Sequence, residues 1–201
     1  PSEKENKKFQ EENGVAFAEP EFFSIFDFPL VEGDIKTALN EPNSALVTEK
    51  IAQKYFGNES AMGKVIRVDN NKDFTIKGIL KDIPQNTDRR QEIYLSNDNI
   101  KDYSPWMARE DSWGGINSET HCFLLLKPGV TAATVSAVFP SFMKKYYAKD
   151  PETQRQFHFL LQPLSDLHFN PDYNGYADKK YLWALAFVGL FLIITACVNF
   201  I

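Results

Sequence analysis

Residues 44–58 read SALVTEKIAQKYFGN, and residues 64–84 read KVIRVDNNKDFTIKGILKDIP. The first stretch predicts a helix with both ends marked. Thr48 offers a hydroxyl to the orphan N–H groups of a first turn, and Glu49 suits the positive end of the aligned peptide dipoles. Ile51, Ala52, Tyr55 and Phe56 recur on one face, and Gly57 can adopt the left-handed conformation that stops a helix. The second stretch predicts a hairpin. Ile66 and Val68 alternate with polar residues, 69–73 turn, and Phe74 and Ile76 return. Gly78 is expected at a bulge, and Pro84 ends the strand because it has no N–H to donate.

Toward the N-terminus, residues 1–13 are polar and mixed in charge. Residues 14–34, GVAFAEPEFFSIFDFPLVEGD, predict a short strand around Val15 and Phe17, then a short helix after Pro20 that buries Phe22, Phe23 and Phe26. Toward the C-terminus, residues 85–120 carry no sustained period and hold two of the three tryptophans, which suggests an irregular inserted lobe. HCFLLLKPGV (121–130) predicts a buried strand leaving through a turn. Residues 131–150 predict an amphipathic helix with Val135, Val138, Phe142 and Tyr146 inward, kinked by Pro140. RQFHFLLQPL (155–164) predicts a returning strand. Strand, helix and strand in that order suggest a crossover unit, with helices packed on one face of a sheet.

The end of the chain is different in kind. No charged residue occurs from Tyr181 to Ile201, and 12 of those residues are Leu, Ile, Val or Phe. At −0.3 to −0.6 kcal/mol each, they favour insertion into a bilayer by about 4–7 kcal/mol, less what Thr195 and Asn199 subtract. Twenty helical residues rise about 30 Å, the thickness of the hydrocarbon core. Lys179 and Lys180 followed by Tyr181 and Trp183 form an interfacial belt. A membrane span contacting lipid through 181–201 is therefore expected. The chain opens at Pro1 with no signal segment and stops inside the apolar stretch, as expected of a piece of a longer protein.

Composition narrows the function classes. Charged residues make up 24% and apolar ones 43%, the balance of a folded domain. A net charge of −5 with only short basic pairs opposes phosphate-backbone binding, so no nucleic acid is expected. Two cysteines, Cys122 and Cys197, do not make a disulfide framework.

Catalytic signatures are missing. Residues 57–65, GNESAMGKV, mimic a phosphate loop, but five residues separate the glycines, and Val65 replaces the hydroxyl that would hold magnesium. His121 and His158 stand in apolar stretches. His168 lies between Asp166 and Asp172, without the second histidine or cysteine pair that a zinc site would ordinarily add. Acidic pairs such as Glu110 and Asp111 have nothing to separate their environments. The expectation is no catalytic residue, no cofactor-binding residue, no metal ligand and no cofactor.

Several stretches, in order, resemble the MacB-like periplasmic core domain of ABC-transporter permeases: FFSIFDFPLVEGD (22–34), NSALVTEKIAQKYFG (43–57) and AMGKVIRVDNNKDFTIKGILKDIP (61–84). FLLLKPGV (123–130) and LLQPLSDLHF (160–169) are similar to the family's later strand and its Pro-Leu-x-Asp-x-His pattern. ADKKYLWALAFVGLFLIITACVNFI (177–201) resembles the start of the FtsX-like permease segment. PQNTDRR (84–90) departs from the Ser-His pair that usually follows the KDIP proline.

The resemblance implies an α+β fold: a ferredoxin-like mixed α/β lobe with an inserted irregular lobe, followed by the start of a transmembrane helix. It divides the chain into an extracytoplasmic core domain at 1–177, with its inserted lobe at about 85–120, and a truncated stalk and membrane helix at 178–201. The core domain would lie on the periplasmic side of the cytoplasmic membrane. It implies a permease that performs no chemistry itself and couples ATP hydrolysis to export of a substrate. Its partners would be a cytoplasmic ABC ATPase subunit, a second permease subunit in a dimer, and a periplasmic adaptor or outer-envelope partner. An FtsX-type regulator of a cell-wall hydrolase is the nearer alternative, and a membrane-tethered metal hydrolase using Asp166, His168 and Asp172 the more distant one.

Overall fold

Every residue of one strand, Ser44–Thr48, is buried, and a sheet extends to both sides of it. The computed structural model describes residues 8–11, 14–87, 89–109, 112, 120–147, 158–170, 175 and 177–200. Contacts divide the chain into two compact units, Pro1–Leu125 and Leu126–Ile201.

The first unit holds a six-stranded mixed sheet. Its strands are β1 (Val15–Ala18), β2 (Leu30–Gly33), β3 (Ser44–Thr48), β4 (Val65–Val68), β5 (Lys72–Leu80) and β6 (Ile93–Ser96). They run in the order β1-β6-β3-β5-β2. β1 is parallel to β6 and β3 to β5, while β3 with β6 and β2 with β5 are antiparallel. β4 pairs with the first half of β5, and β2 with its last residues. Between β3 and β5 the register runs Ala45–Ile76 and then Leu46–Gly78, so Lys77 is the extra residue of a bulge. The expected bulge at Gly78 is present. At Gly33, φ is +103°, and a Cβ there would come within 2.6 Å of the Lys77 carbonyl oxygen, so only glycine fits.

Alternation along β3 distributes the core over two faces. Ala45 and Val47 face one cluster with Ile66, Phe74, Ile76, Ile93 and Leu95. Helix α2 (Glu49–Phe56) covers that cluster and contributes Ile51. Leu46 faces the other way, with Leu80, Tyr94, Ala38, Leu39 and Phe23 of the short helix α1 (Phe22–Ile25). Burying each such side chain contributes about 1.5–3 kcal/mol relative to leaving it in water. The start of α2 is held twice. The Thr48 hydroxyl accepts from the Ile51 N–H, and Asp82, just past β5, accepts from the Lys50 N–H at 2.8 Å.

The α+β class is present, and one part of the expected irregular segment differs from its reading. β6 lies inside 85–120 and is wholly buried between β1 and β3. It leads through a 3-10 turn (Asn97–Asn99) into α3 (Ile100–Tyr103). Four apolar-flanked residues are too short for period-2 alternation to stand out, and a strand buried on both faces does not alternate at all.

From residue 121 onward the chain departs further from the sequence reading. The expected strands within 121–130 and 155–164 are not strands among the described residues, and Leu125 and Leu160 are 71% and 67% exposed. Apolar character records that a segment favours burial; a strand also needs a neighbour in register to take its backbone hydrogen bonds. Among the described residues the crossover unit is therefore not formed. Over its described residues, 131–147, the expected helix is two helices, α4 (Ala132–Ser136) and α5 (Phe139–Tyr146). Pro140 sits in the first turn of α5, where its missing N–H costs nothing, and the chain breaks ahead of it. The break turns Val138 and Tyr146 outward, while Phe139, Phe142 and Tyr147 meet the Phe159 ring. The last helix, α6 (Lys179–Asn199), follows a 3-10 turn at Leu164–Asp166.

Candidate functional site

Three places in the molecule concentrate chemistry or unusual packing. The first is an aromatic corner on the Tyr94 face of the sheet. Phe22 packs against Phe23, Phe26, Phe28 and Tyr94 at ring separations of 4.7–5.9 Å, and Phe26 meets Phe123 edge-on at 4.8 Å. The guanidinium carbon of Arg89 stands 5.1 Å from the centre of the Phe123 ring, and His121 lies nearly parallel to that ring at 6.1 Å. Tyr94 is 1% exposed, and among the described residues its hydroxyl has no hydrogen-bond partner; neither has the buried Nε of Arg89. A buried donor left unmatched costs about 1–3 kcal/mol. Burial pushes the Tyr94 phenol up to about 12 against the opposing pull of Arg89. Burial first, and the Arg89 charge second, hold the His121 imidazole below its usual value.

The second place is a groove of about 500 Å³ on the α2 side of the same unit, floored by Phe17, Ile66, Ile93 and Leu95 and edged by Tyr103. The segment before β1 straps across α2. Phe9 stacks on Tyr55 with ring centres 4.4 Å apart, Lys54 stands over the Phe9 ring, and Glu11 accepts from Lys54 and from the Tyr55 hydroxyl. Burial and then Glu11 raise the Tyr55 phenol well above its ordinary range. In the same unit, Asn99 is 1% exposed and exchanges hydrogen bonds with Asn43, whose own φ is +61°. Asn99 also donates to Asp102, which pairs with Lys72. These two partners, Lys72 first, hold the Asp102 carboxyl below the usual range.

The third place is the entry to α6, within the second unit. Asp178 caps the helix by accepting from the Lys180 N–H at 2.9 Å. Lys179 lies 3.8 Å from Asp166 and 5.3 Å from the centre of the Phe169 ring. Asp166 also accepts from the Asn170 amide, and the Ala177 N–H donates to the His168 carbonyl. Gly175 fits against the Asn170 backbone, where a Cβ would approach to 2.6 Å. The helix that follows has 21 residues, rises about 31 Å at 1.5 Å per residue, and buries no side chain in the protein. Its length and apolar composition suffice to cross a membrane. The Thr195 hydroxyl returns to the Phe191 carbonyl one turn back, which satisfies the polar group without water.

The sequence model of the MacB-like periplasmic core domain matches residues 2–141. The chain belongs to that family. Similar solved structures include a domain from Porphyromonas gingivalis assigned as a permease, at 23% identity over 75% of this chain and 68% of that one, with a TM-score of 0.49. They also include the periplasmic region of MacB from Actinobacillus actinomycetemcomitans, at 11% identity over 64% of this chain and 54% of that one, TM-score 0.42. The extracellular domain of the noncanonical ABC-type transporter YknZ from Gram-positive bacteria is 18% identical over 40% of this chain and 41% of that one, TM-score 0.32. Among curated protein sequences, none matches.

In this MacB-like chain, the residues singled out in the sequence do not converge. In 57–65, Gly57 caps α2 and Lys64 pairs with Glu59 and covers the Phe56 ring, so the stretch closes a helix instead of opening one. His121 belongs to the aromatic corner of the first unit, while His158 and His168 belong to the second. Asp166 is engaged at the entry to α6. Asp172, Glu110 and Asp111 lie outside the described residues. Among the described residues no three His, Cys, Asp or Glu side chains group to hold a metal. Sequence reasoning missed Arg89, Tyr94 and Asn99, whose significance is tertiary. The one available signal was the PQNTDRR departure, which places Arg89 where the family pattern changes.

Proposed function

We propose that the chain is the extracytoplasmic core domain and adjoining membrane helix of an ABC-transporter permease subunit. It couples ATP hydrolysis in a separate cytoplasmic ATPase to export of a substrate across the cell envelope. The observation that carries this reading is a MacB-like core domain in the same chain as a helix apolar on every side, entered through a braced and capped turn. Residues 1–177 work outside the cytoplasmic membrane, and 178–201 form the stalk and the span that touches lipid. The subunit pairs with a second copy and performs no bond-making of its own. Motion of the span reaches the core domain through the Asp166–Lys179 joint, as a shift between two arrangements. A periplasmic adaptor or outer-envelope partner receives what is exported.

A short Gly/Ser segment inserted between Asp178 and Tyr181 tests the coupling. In the permease reconstituted with its ATPase, nucleotide-driven change in the core domain, read by spin-label distances, is expected to disappear while ATP hydrolysis continues. Retention of that change refutes coupling through the joint. Sidedness has its own reporter, because the Cys122 thiol is exposed. A membrane-impermeant maleimide is expected to label it in intact spheroplasts, and labelling only after permeabilisation refutes the orientation. Co-purification with a cell-wall hydrolase in place of an export partner selects the regulator reading, and stoichiometric zinc or manganese selects the hydrolase.

A further inference from the structure

We propose that the aromatic corner around Arg89 and Phe123 is a binding site for a small organic acid, one carboxylate on an apolar body. The site lies within the first unit, and the proposal stands whether or not the chain exports anything. Arg89 is the starting point. Of the other arginines, Arg67 pairs with Asp73 through two parallel contacts, and Arg90 donates to the carbonyls of Gln85 and Thr87. Among the described residues no carboxylate pairs with Arg89, whose guanidinium stands over the Phe123 ring. Its Nε is buried without an acceptor. The Tyr94 hydroxyl, in the same cluster, is a second buried donor without one.

Buried polar groups in folded proteins are nearly always matched, so two unmatched donors in one cluster point to an acceptor supplied from outside. A carboxylate is the acceptor these groups suit. The guanidinium fork offers parallel N–H donors spaced for two carboxylate oxygens, and a phenol O–H strengthens such a pair. The charge count also favours it. One arginine balances one negative charge, whereas a dianionic phosphate would leave a charge uncompensated among phenylalanines. The half-buried rings of Phe22, Phe26 and Phe123 supply the apolar wall for the rest of the ligand. His121, stacked on the same ring, contributes a further nitrogen at the rim.

The test uses the full chain in lipid nanodiscs, titrated calorimetrically with 3-phenylpropionate against empty nanodiscs. Saturable binding of one molecule per chain is expected. The neutral amide, 3-phenylpropionamide, and the variant Arg89→Gln are each expected to weaken binding by about tenfold or more, since both remove the charge-assisted pair. Tyr94→Phe keeps the ring and the packing, and is expected to weaken binding by roughly threefold, the loss of one neutral donor. Absence of saturable binding overturns the proposal, as does an amide that binds as well as the acid or an Arg89→Gln chain that binds as well as the native one. Tighter binding of 2-phenylethylphosphonate than of the carboxylate would overturn the ligand class.

Discussion

The two units use apolar residues in opposite ways. In the first, β3 is buried along its whole length, and Phe74, Ile76, Leu80 and Leu95 are fully enclosed. In the second, Leu125 of the preceding boundary is followed by Leu126, Val130, Val138, Leu160 and Leu164, all exposed, and then by a helix whose side chains all face outward. The contrast lies in what surrounds each residue, since both units are rich in the same amino acids. A sheet supplies its own neighbours, whereas the apolar helix of 21 residues buries no side chain in the protein and must find its neighbours elsewhere.

If the first unit is a saturated core and the second is not, equal truncations must have unequal effects. Phe74→Ala is expected to cost about 3–5 kcal/mol in chemical denaturation, because the enclosed ring leaves a cavity. Val138→Ala, on the exposed side of the break before α5, is expected to stay within about 0.5 kcal/mol. Similar costs for the two would erase the contrast. A charge in the last helix probes its other half. Leu190→Arg is expected to raise the insertion free energy by about 3–4 kcal/mol in a translocon-insertion assay, and an unchanged inserted fraction would mean that lipid does not surround this helix.

Smaller effects test how finely the first unit is built. Gly33→Ala forces a side chain onto a φ of +103° and against the Lys77 carbonyl, so a loss of about 1–3 kcal/mol is expected in the same denaturation experiment. A native-like midpoint would show that β2 and the bulge can move apart freely. Least in size is a pH effect at Asp102, whose carboxyl Lys72 and Asn99 hold below its ordinary range. A depressed folded-state value stabilises the protein above the unfolded value of about 3.9 and loses that contribution as pH falls through the folded one. Asp102→Asn is therefore expected to lower the denaturation midpoint above about pH 4 and to flatten its acid-side decline. Parallel pH profiles for variant and parent would mean that the Lys72–Asp102–Asn99 contacts do not persist in solution.

Legibility along the chain followed interaction range. The α2 caps and the β4–β5 turn were readable because each depends on residues a few positions apart, and the bulge because a glycine inside a strand pattern marks one whichever strand it pairs with. The apolar helix was readable because its signal is composition over one continuous stretch. β3 and β6 were not recognised, although they form the middle of the sheet, because a short strand buried on both faces lacks alternation. HCFLLLKPGV erred the other way, having strand composition and no strand partner among the described residues. Arg89, Tyr94, His121 and Phe123 are separated by up to 34 positions (123 − 89) and carry no spacing that links them.

By itself, the sequence determined the local events: where α2 begins and ends, where the hairpin turns, and that the last 21 residues of unbroken apolar character need an apolar environment. Caps, turns and hydropathy act over one to five residues or sum along a single segment, so no distant contact is required to read them. Only the tertiary structure decided that SALVT is the sheet's central strand, that the Leu-rich 121–126 is not a strand, and that an arginine with no carboxylate partner among the described residues stands over a phenylalanine of the corner that holds Tyr94. Strand pairing and burial are properties of which segments meet, and that is settled by the free energy of the assembled whole.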